Sequence, residues 1–214
     1  MISRMRTLDD LPTPCLLLDR AKLEANCRRM AERMTRLGVR LRPHMKTTKS
    51  ADVARIATEG HFGGVTVSTL KEARYFAEAG FADILYAVGF VPSKLQEAAA
   101  IQDMGVALTL LTDSIDAARA TAEKAARTGR TFPMMVEIDT GDGRCGLDPA
   151  SEADAIVALA REIDAAPALE LRGVLTHAGQ SYHGATPAEI RAIAEQERAG
   201  IARAADLLRG AGLP

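Results

Sequence analysis

The fold of this chain turns on the stretch Arg40-Leu-Arg-Pro-His-Met-Lys-Thr-Thr-Lys-Ser50. Taken as a strand over 39–45, its side chains alternate between two faces. Val39, Leu41, Pro43 and Met45 then share one face, and Arg40, Arg42, His44 and Lys46 share the other. The basic face ends at Lys46, just before a Thr/Ser-rich turn into a helix. A lysine among cations is pushed toward its neutral form. Neutral lysine is the nucleophile that forms a Schiff base with an aldehyde. The same pattern also suits an edge strand with a solvated basic face, so the surrounding chain has to decide.

Upstream, Pro12-Thr-Pro-Cys-Leu-Leu-Leu-Asp19 is a short apolar run bounded by prolines and reads as a strand. Asp19 can cap a helix over 20–37, where Leu23, Cys27, Met30, Met34 and Leu37 recur at helical spacing and Gly38 follows. Downstream, the spacing predicts helices over 51–59, 69–79, 93–104, 114–128 and 151–165, with strands over 64–67, 83–88, 106–111, 132–138 and 169–175 between them. Thr186-Pro187 opens a last long helix that runs to about Arg209.

Such alternation with short connections implies a parallel sheet. The strands are rich in Val, Ile and Leu rather than strictly alternating, as strands covered on both faces are. No Gly-x-Gly-x-x-Gly follows the first strand, which disfavours a dinucleotide-binding open sheet. A (β/α)8 barrel carries its chemistry at the C-terminal ends of its strands. The unusual polar residues lie there: Lys46, Ser68, Thr69, Tyr86, residues 139–144 and residues 176–182. From Val39 about six strands are countable, where a barrel needs eight. The expectation is therefore an incomplete (β/α)8 barrel and an N-terminal portion of a longer protein.

With 214 residues and a net charge of −1, the chain gives no support for nucleic-acid binding or for attraction to an anionic membrane. No apolar run reaches membrane-spanning length, and residues 1–10 lack the apolar core of a secretion leader. Cys15, Cys27 and Cys145 are odd in number and widely spaced, so they make neither a disulfide framework nor a zinc pattern. A reducing cytoplasm is the default location.

Two further stretches carry chemistry. Glu137-Ile-Asp-Thr-Gly-Asp-Gly-Arg-Cys-Gly146 ends a strand and opens a glycine-rich loop, whose glycines allow close backbone approach to a ligand. Arg144 could hold a phenolate or carboxylate oxygen through its planar donors; the alternative is an Asp/Gly turn with a surface arginine. Thr176-His-Ala-Gly-Gln-Ser-Tyr-His183 ends another strand and offers the imidazole of His177, the amide of Gln180 and the phenol of Tyr182. Taken singly, His177 also suits a hydrogen-bonded structural role. No carboxylate joins the histidines at metal-ligand spacing. Cys145 reads as a small loop residue and Met134-Met135 as core.

These stretches together, 12–19, 42–49, 137–144 and 173–182, resemble the D-threonine aldolase and D-serine dehydratase family, with the D-threo-3-hydroxyaspartate dehydratases nearest. That family is a branch of the fold-type III pyridoxal-phosphate enzymes, built on an alanine-racemase-like barrel. The resemblance implies that Lys46 forms the Schiff base with pyridoxal 5'-phosphate. It implies that Arg144 faces the cofactor's 3-hydroxyl oxygen and Tyr182 its pyridine nitrogen, while Gln180 and His177 line the pocket. It implies a barrel portion over 20–214, a segment over 1–19 that joins a C-terminal β domain, and in that domain a divalent metal, zinc or manganese. A homodimer is the usual assembly. Many relatives carry histidine where this chain has Thr48, which bears on substrate choice.

The activity so implied is a lyase acting on D-3-hydroxy amino acids: dehydration of D-serine, D-threonine or D-threo-3-hydroxyaspartate to a 2-oxo acid and ammonia. D-threonine aldolase chemistry is the near alternative. A non-catalytic pyridoxal-phosphate homeostasis protein on the same barrel is the alternative of another class, and a racemase is a third.

Overall fold

A computed structural model describes residues 7–214; the reading of residues 1–6 lies outside them. Five strands form one parallel sheet in the order β1 (Val65–Val67), β2 (Asp83–Gly89), β3 (Ala107–Thr112), β4 (Phe132–Ile138) and β5 (Leu169–Thr176). Helices alternate with them: α1 (Arg20–Leu37), α2 (Ala51–Thr58), α3 (Leu70–Glu78), α4 (Leu95–Gln102), α5 (Ile115–Ala126), α6 (Ala153–Ala165) and α7 (Pro187–Gly210). Neighbours in sequence are neighbours in the sheet, so all C-terminal strand ends fall on one rim. The sheet does not close into a barrel among the described residues.

Local sequence explains where helices begin. Ser50, Thr69 and Ser114 each accept a hydrogen bond at their helix start, from the backbone N–H of Val53, Glu72 and Ala117. Thr186 and Glu189 make a reciprocal capping box with Pro187 in the first turn of α7. Gly38 closes α1 in the left-handed conformation, φ 65°. The strands supply the core: Val65, Ile84, Leu108, Leu110, Met134 and Val136 are fully buried. Phe76, Ile101, Ala118, Ile156 and Leu208 cover them from the helices.

Two expected strands do not form. Over 39–45 there is a single parallel bridge, His44 to Thr66. Thr66 N–H donates to Pro43 O at 2.9 Å and Met45 N–H donates to Thr66 O at 2.8 Å. In this register the next donor back along the ladder would be the N–H of residue 43, and proline has none. On the other side, Ser68 N–H goes to Glu72 Oε2 at 2.8 Å instead of continuing the ladder. The alternation of Arg40, Arg42, His44 and Lys46 therefore does not give one continuous basic face. Arg40 stacks on Phe62 at 3.8 Å, and Arg42 pairs with Asp83 at 2.7 Å on the far side from the rim. The stretch 12–19 is likewise not a strand, having no neighbour to pair with among the described residues. Leu16, Leu17 and Leu18 lie exposed there. The sheet thus has five strands where six are expected.

Candidate active site

The chain turns sharply after the His44 bridge. Lys49 N–H donates to Met45 O at 2.9 Å, and Lys49 sits at a positive φ of 46°. Its ammonium pairs with Glu72 at 3.1 Å. His44 Nδ1 accepts from the backbone N–H of Lys46 at 3.3 Å, and His44 Nε2 lies 3.4 Å from Ser68 Oγ. With Nδ1 as acceptor, the ring proton belongs on Nε2, facing the serine. Burial lowers the His44 pKa, and the neighbouring Lys46 cation adds to this. The turn thus presents Lys46, with its side chain free of the backbone network, at the rim.

The strand ends bring the remaining groups to Lys46. A cavity of about 430 Å³ is lined by His44, Lys46, Thr66 and Ser68, by the end of β2, by Glu137, Arg144 and Cys145, and by Leu175, Thr176 and His177. Three of the five residues singled out in the sequence, Lys46, Arg144 and His177, therefore share one space. Gln180 and Tyr182 lie outside it. Gln180 donates to Thr140 O at 3.0 Å and so supports the loop after β4. Tyr182 is 76% exposed, its ring 6.2 Å from that of His177. Tyr86 also leaves the rim: it is buried against Phe90 and accepts a hydrogen bond from Lys94 Nζ.

Arg144 is carried by a loop with little freedom. Asp139 Oδ1 accepts from the N–H groups of Gly141, Asp142 and Gly143, which folds the loop back on β4. Leu147 returns beside Ile138, and Gly146 N–H donates to Asp113 at 2.9 Å. Gly146 has φ 96°, and a Cβ there would stand 2.6 Å from Asp139 N, so only glycine fits. The Arg144 side chain remains 56% exposed, with Asp142 at 3.9 Å. The neighbouring Cys145 side chain pushes the Arg144 pKa up.

Glu137 and Cys145 enter the site without having been singled out for it. The Cys145 thiol donates to Glu137 Oε1 at 2.9 Å. Burial pushes the pKa of both groups up. A signal was present in the sequence: Glu137 is the one charge in the strand Phe-Pro-Met-Met-Val-Glu-Ile, next to its C-terminal end. His44 and Ser68 belong to the same wall. Among the described residues no group of three or more His, Cys, Asp and Glu is placed to hold a metal ion.

Fold and site together define an α/β barrel portion, open at its edges, with Lys46, Arg144 and His177 around one cavity on its C-terminal rim. The chain belongs to the alanine racemase N-terminal domain family, which it matches over residues 18–214. It is 44% identical over 208 residues to the D-threo-3-hydroxyaspartate dehydratase of Delftia sp. (strain HT23), covering 97% of this chain and 54% of that protein. A solved mutant of D-threo-3-hydroxyaspartate dehydratase, described as being in the metal-free form, superposes with a TM-score of 0.93 at 43% identity. That match covers 98% of this chain and 55% of the other. The solved D-threonine aldolase of Filomicrobium marinum superposes with a TM-score of 0.87 at 30% identity, over 96% of this chain and 55% of that one. The chain thus spans about half the length of the curated relatives it matches.

Proposed function

We propose that this chain is the cofactor-binding part of a pyridoxal-phosphate-dependent lyase acting on D-3-hydroxy amino acids. The observation that carries the reading is the meeting of Lys46, Arg144 and His177 in one cavity at the strand ends. The 44% identity to a D-threo-3-hydroxyaspartate dehydratase supports the choice of chemistry. The cavity's volume, about 430 Å³, is in the range of small-molecule sites. An accessible amine, a fixed planar cation and a buried acid with an unpartnered oxygen suit an anionic aldehyde of the pyridoxal kind.

In this reading Lys46 Nζ is the attachment point for the cofactor aldehyde. Arg144 would be the donor for the cofactor's phenolic oxygen, and His177 would line the pocket from the end of β5. His44 and Ser68 hold the Lys46 turn by hydrogen bonds, so that the amine is aimed across the cavity. Pyridoxal phosphate, when bound, supplies an electron sink for the pair left at the substrate's α-carbon. The Lys46 amine would be the group placed to hold the substrate's α-proton as general base. Departure of the β-hydroxyl as water then needs an acid or a metal ion. We place that metal, with the substrate's hydroxyl grip, in a separate β domain that residues 1–19 help to join. Homodimerisation and a cytoplasmic location belong to the same proposal.

D-Threonine given to the full-length protein reconstituted with pyridoxal phosphate tests the reading. Dehydration yields 2-oxobutyrate and ammonia, the expected products. Glycine and acetaldehyde as main products would keep the lyase class but make it an aldolase. The likeness to the Filomicrobium marinum aldolase structure makes this the outcome to watch. Conversion to L-allo-threonine alone, by inversion at the α-carbon, would mean a racemase.

A further inference from the structure

Glu137 is 4% exposed and lines the cavity with Lys46, Arg144 and His177. Its Oε1 accepts the Cys145 thiol, while its Oε2 is buried and has no partner among the described residues. Arg144, the nearest fixed cation in the loop, is turned toward Asp142. A carboxylate buried with a single thiol donor and no direct ion pair would cost more than the neutral acid buried in its place. In the neutral acid the carbonyl oxygen is Oε1, where the thiol proton points, and the O–H is on Oε2. Burial also pushes the Glu137 pKa up, more than the Cys145 hydrogen bond and the nearby Arg144 and His177 pull it down, and Asp113 adds to the rise. The cavity wall thus holds an O–H donor with no acceptor of its own.

We propose that Glu137 is a ligand-positioning acid: its Oε2–H donates a hydrogen bond to an anionic oxygen of the molecule bound in the cavity, beside Arg144. The inference rests on the pyridoxal-phosphate reading of this site. Two oxygens of the same chemistry are available, the phenolic oxygen of the cofactor and the carboxylate of the amino acid. A neutral donor orients such an oxygen without adding a second positive charge to the one Arg144 already brings. A proton held in common between two oxygens also lets the ligand's charge change during turnover without moving the guanidinium.

Infrared difference spectra of the full-length protein, wild type against Glu137→Gln, read this directly. The expected result at neutral pH is a protonated-carboxyl band present before loading and absent from the glutamine variant. It moves to lower frequency when pyridoxal phosphate is added. Movement only after D-alanine is added to the loaded protein assigns the acceptor to the amino acid's carboxylate instead. Absence of the band, or a band that neither addition moves, overturns the proposal. Spectral titration gives a second readout. Glu137→Leu should weaken binding of pyridoxal phosphate, or of D-alanine, about ten-fold or more. Glu137→Gln, which keeps an N–H donor in place, should lose less. Unchanged affinity for both ligands in the leucine variant also overturns it, and if that variant does not fold the infrared comparison decides. Attachment of the cofactor to Lys46 with an unmoved band removes the role of Glu137 alone; no attachment at Lys46 removes the site reading and this inference with it.

Discussion

Arg144 sits where a strand's end, a rigid loop and an open cavity meet, and its role follows from what a planar cation can do there. Its two-pronged donor geometry suits an oxygen anion, and lysine cannot reproduce it. Replacing it by alanine should weaken pyridoxal-phosphate binding about ten-fold or more and alter the visible spectrum of the loaded protein, as loss of a hydrogen bond to a charged group does. Arg144→Lys should restore only part of the affinity. A spectral titration checks both variants, and an unchanged alanine variant would return Arg144 to the surface of an Asp/Gly turn. At this scale the sequence was most informative for chemically distinctive residues on the segments that reach the rim, since Lys46, Arg144 and His177 line one cavity there. It was least informative for Glu137 and His44, whose parts depend on which hydrogen-bond partners the fold brings and which it withholds.

The element that positions Arg144 is β4 with its returning loop, and Gly146 is the point on which the return depends. At φ 96°, with a would-be Cβ 2.6 Å from Asp139 N and 2.7 Å from Ile138 C, an alanine must both adopt a strained conformation and displace backbone. Gly146→Ala should destabilise the protein by about 2–3 kcal/mol and move Arg144 enough to weaken cofactor binding. Urea unfolding measures the first effect and the same spectral titration the second; wild-type values in both would mean that the loop is held by other contacts. Helices were legible because their caps are local: Ser50, Thr69, Ser114 and Thr186 bond to N–H groups of their own first turn. Strands 39–45 and 12–19 were not, because strand formation needs a partner and an unbroken row of donors. Pro43 breaks that row in the first. In the second, the described residues place no neighbouring strand beside the leucines.

Across the whole molecule, the parallel order β1 to β5 is what turns scattered residues into a site. Residues as far apart in sequence as Lys46 and His177 meet because the His44–Thr66 bridge holds the first beside β1 and β5 carries the second to the same rim. The barrel class and this rim could be read from the alternation of elements and from the polar strand ends. The strand count could not, since a hydrophobic pattern does not reveal that a proline removes a ladder bond. The chain's match to the alanine racemase N-terminal domain family fits a sheet that is open at β5. The central claim is that this rim is a pyridoxal-phosphate site with Lys46 as its attachment point. Borohydride reduction of the loaded full-length protein, followed by peptide mapping, tests it most directly. The account predicts the phosphopyridoxyl group on Lys46, and its loss in Lys46→Ala with the fold retained. A label on Lys49 or Lys71 with Lys46 unmodified would contradict it.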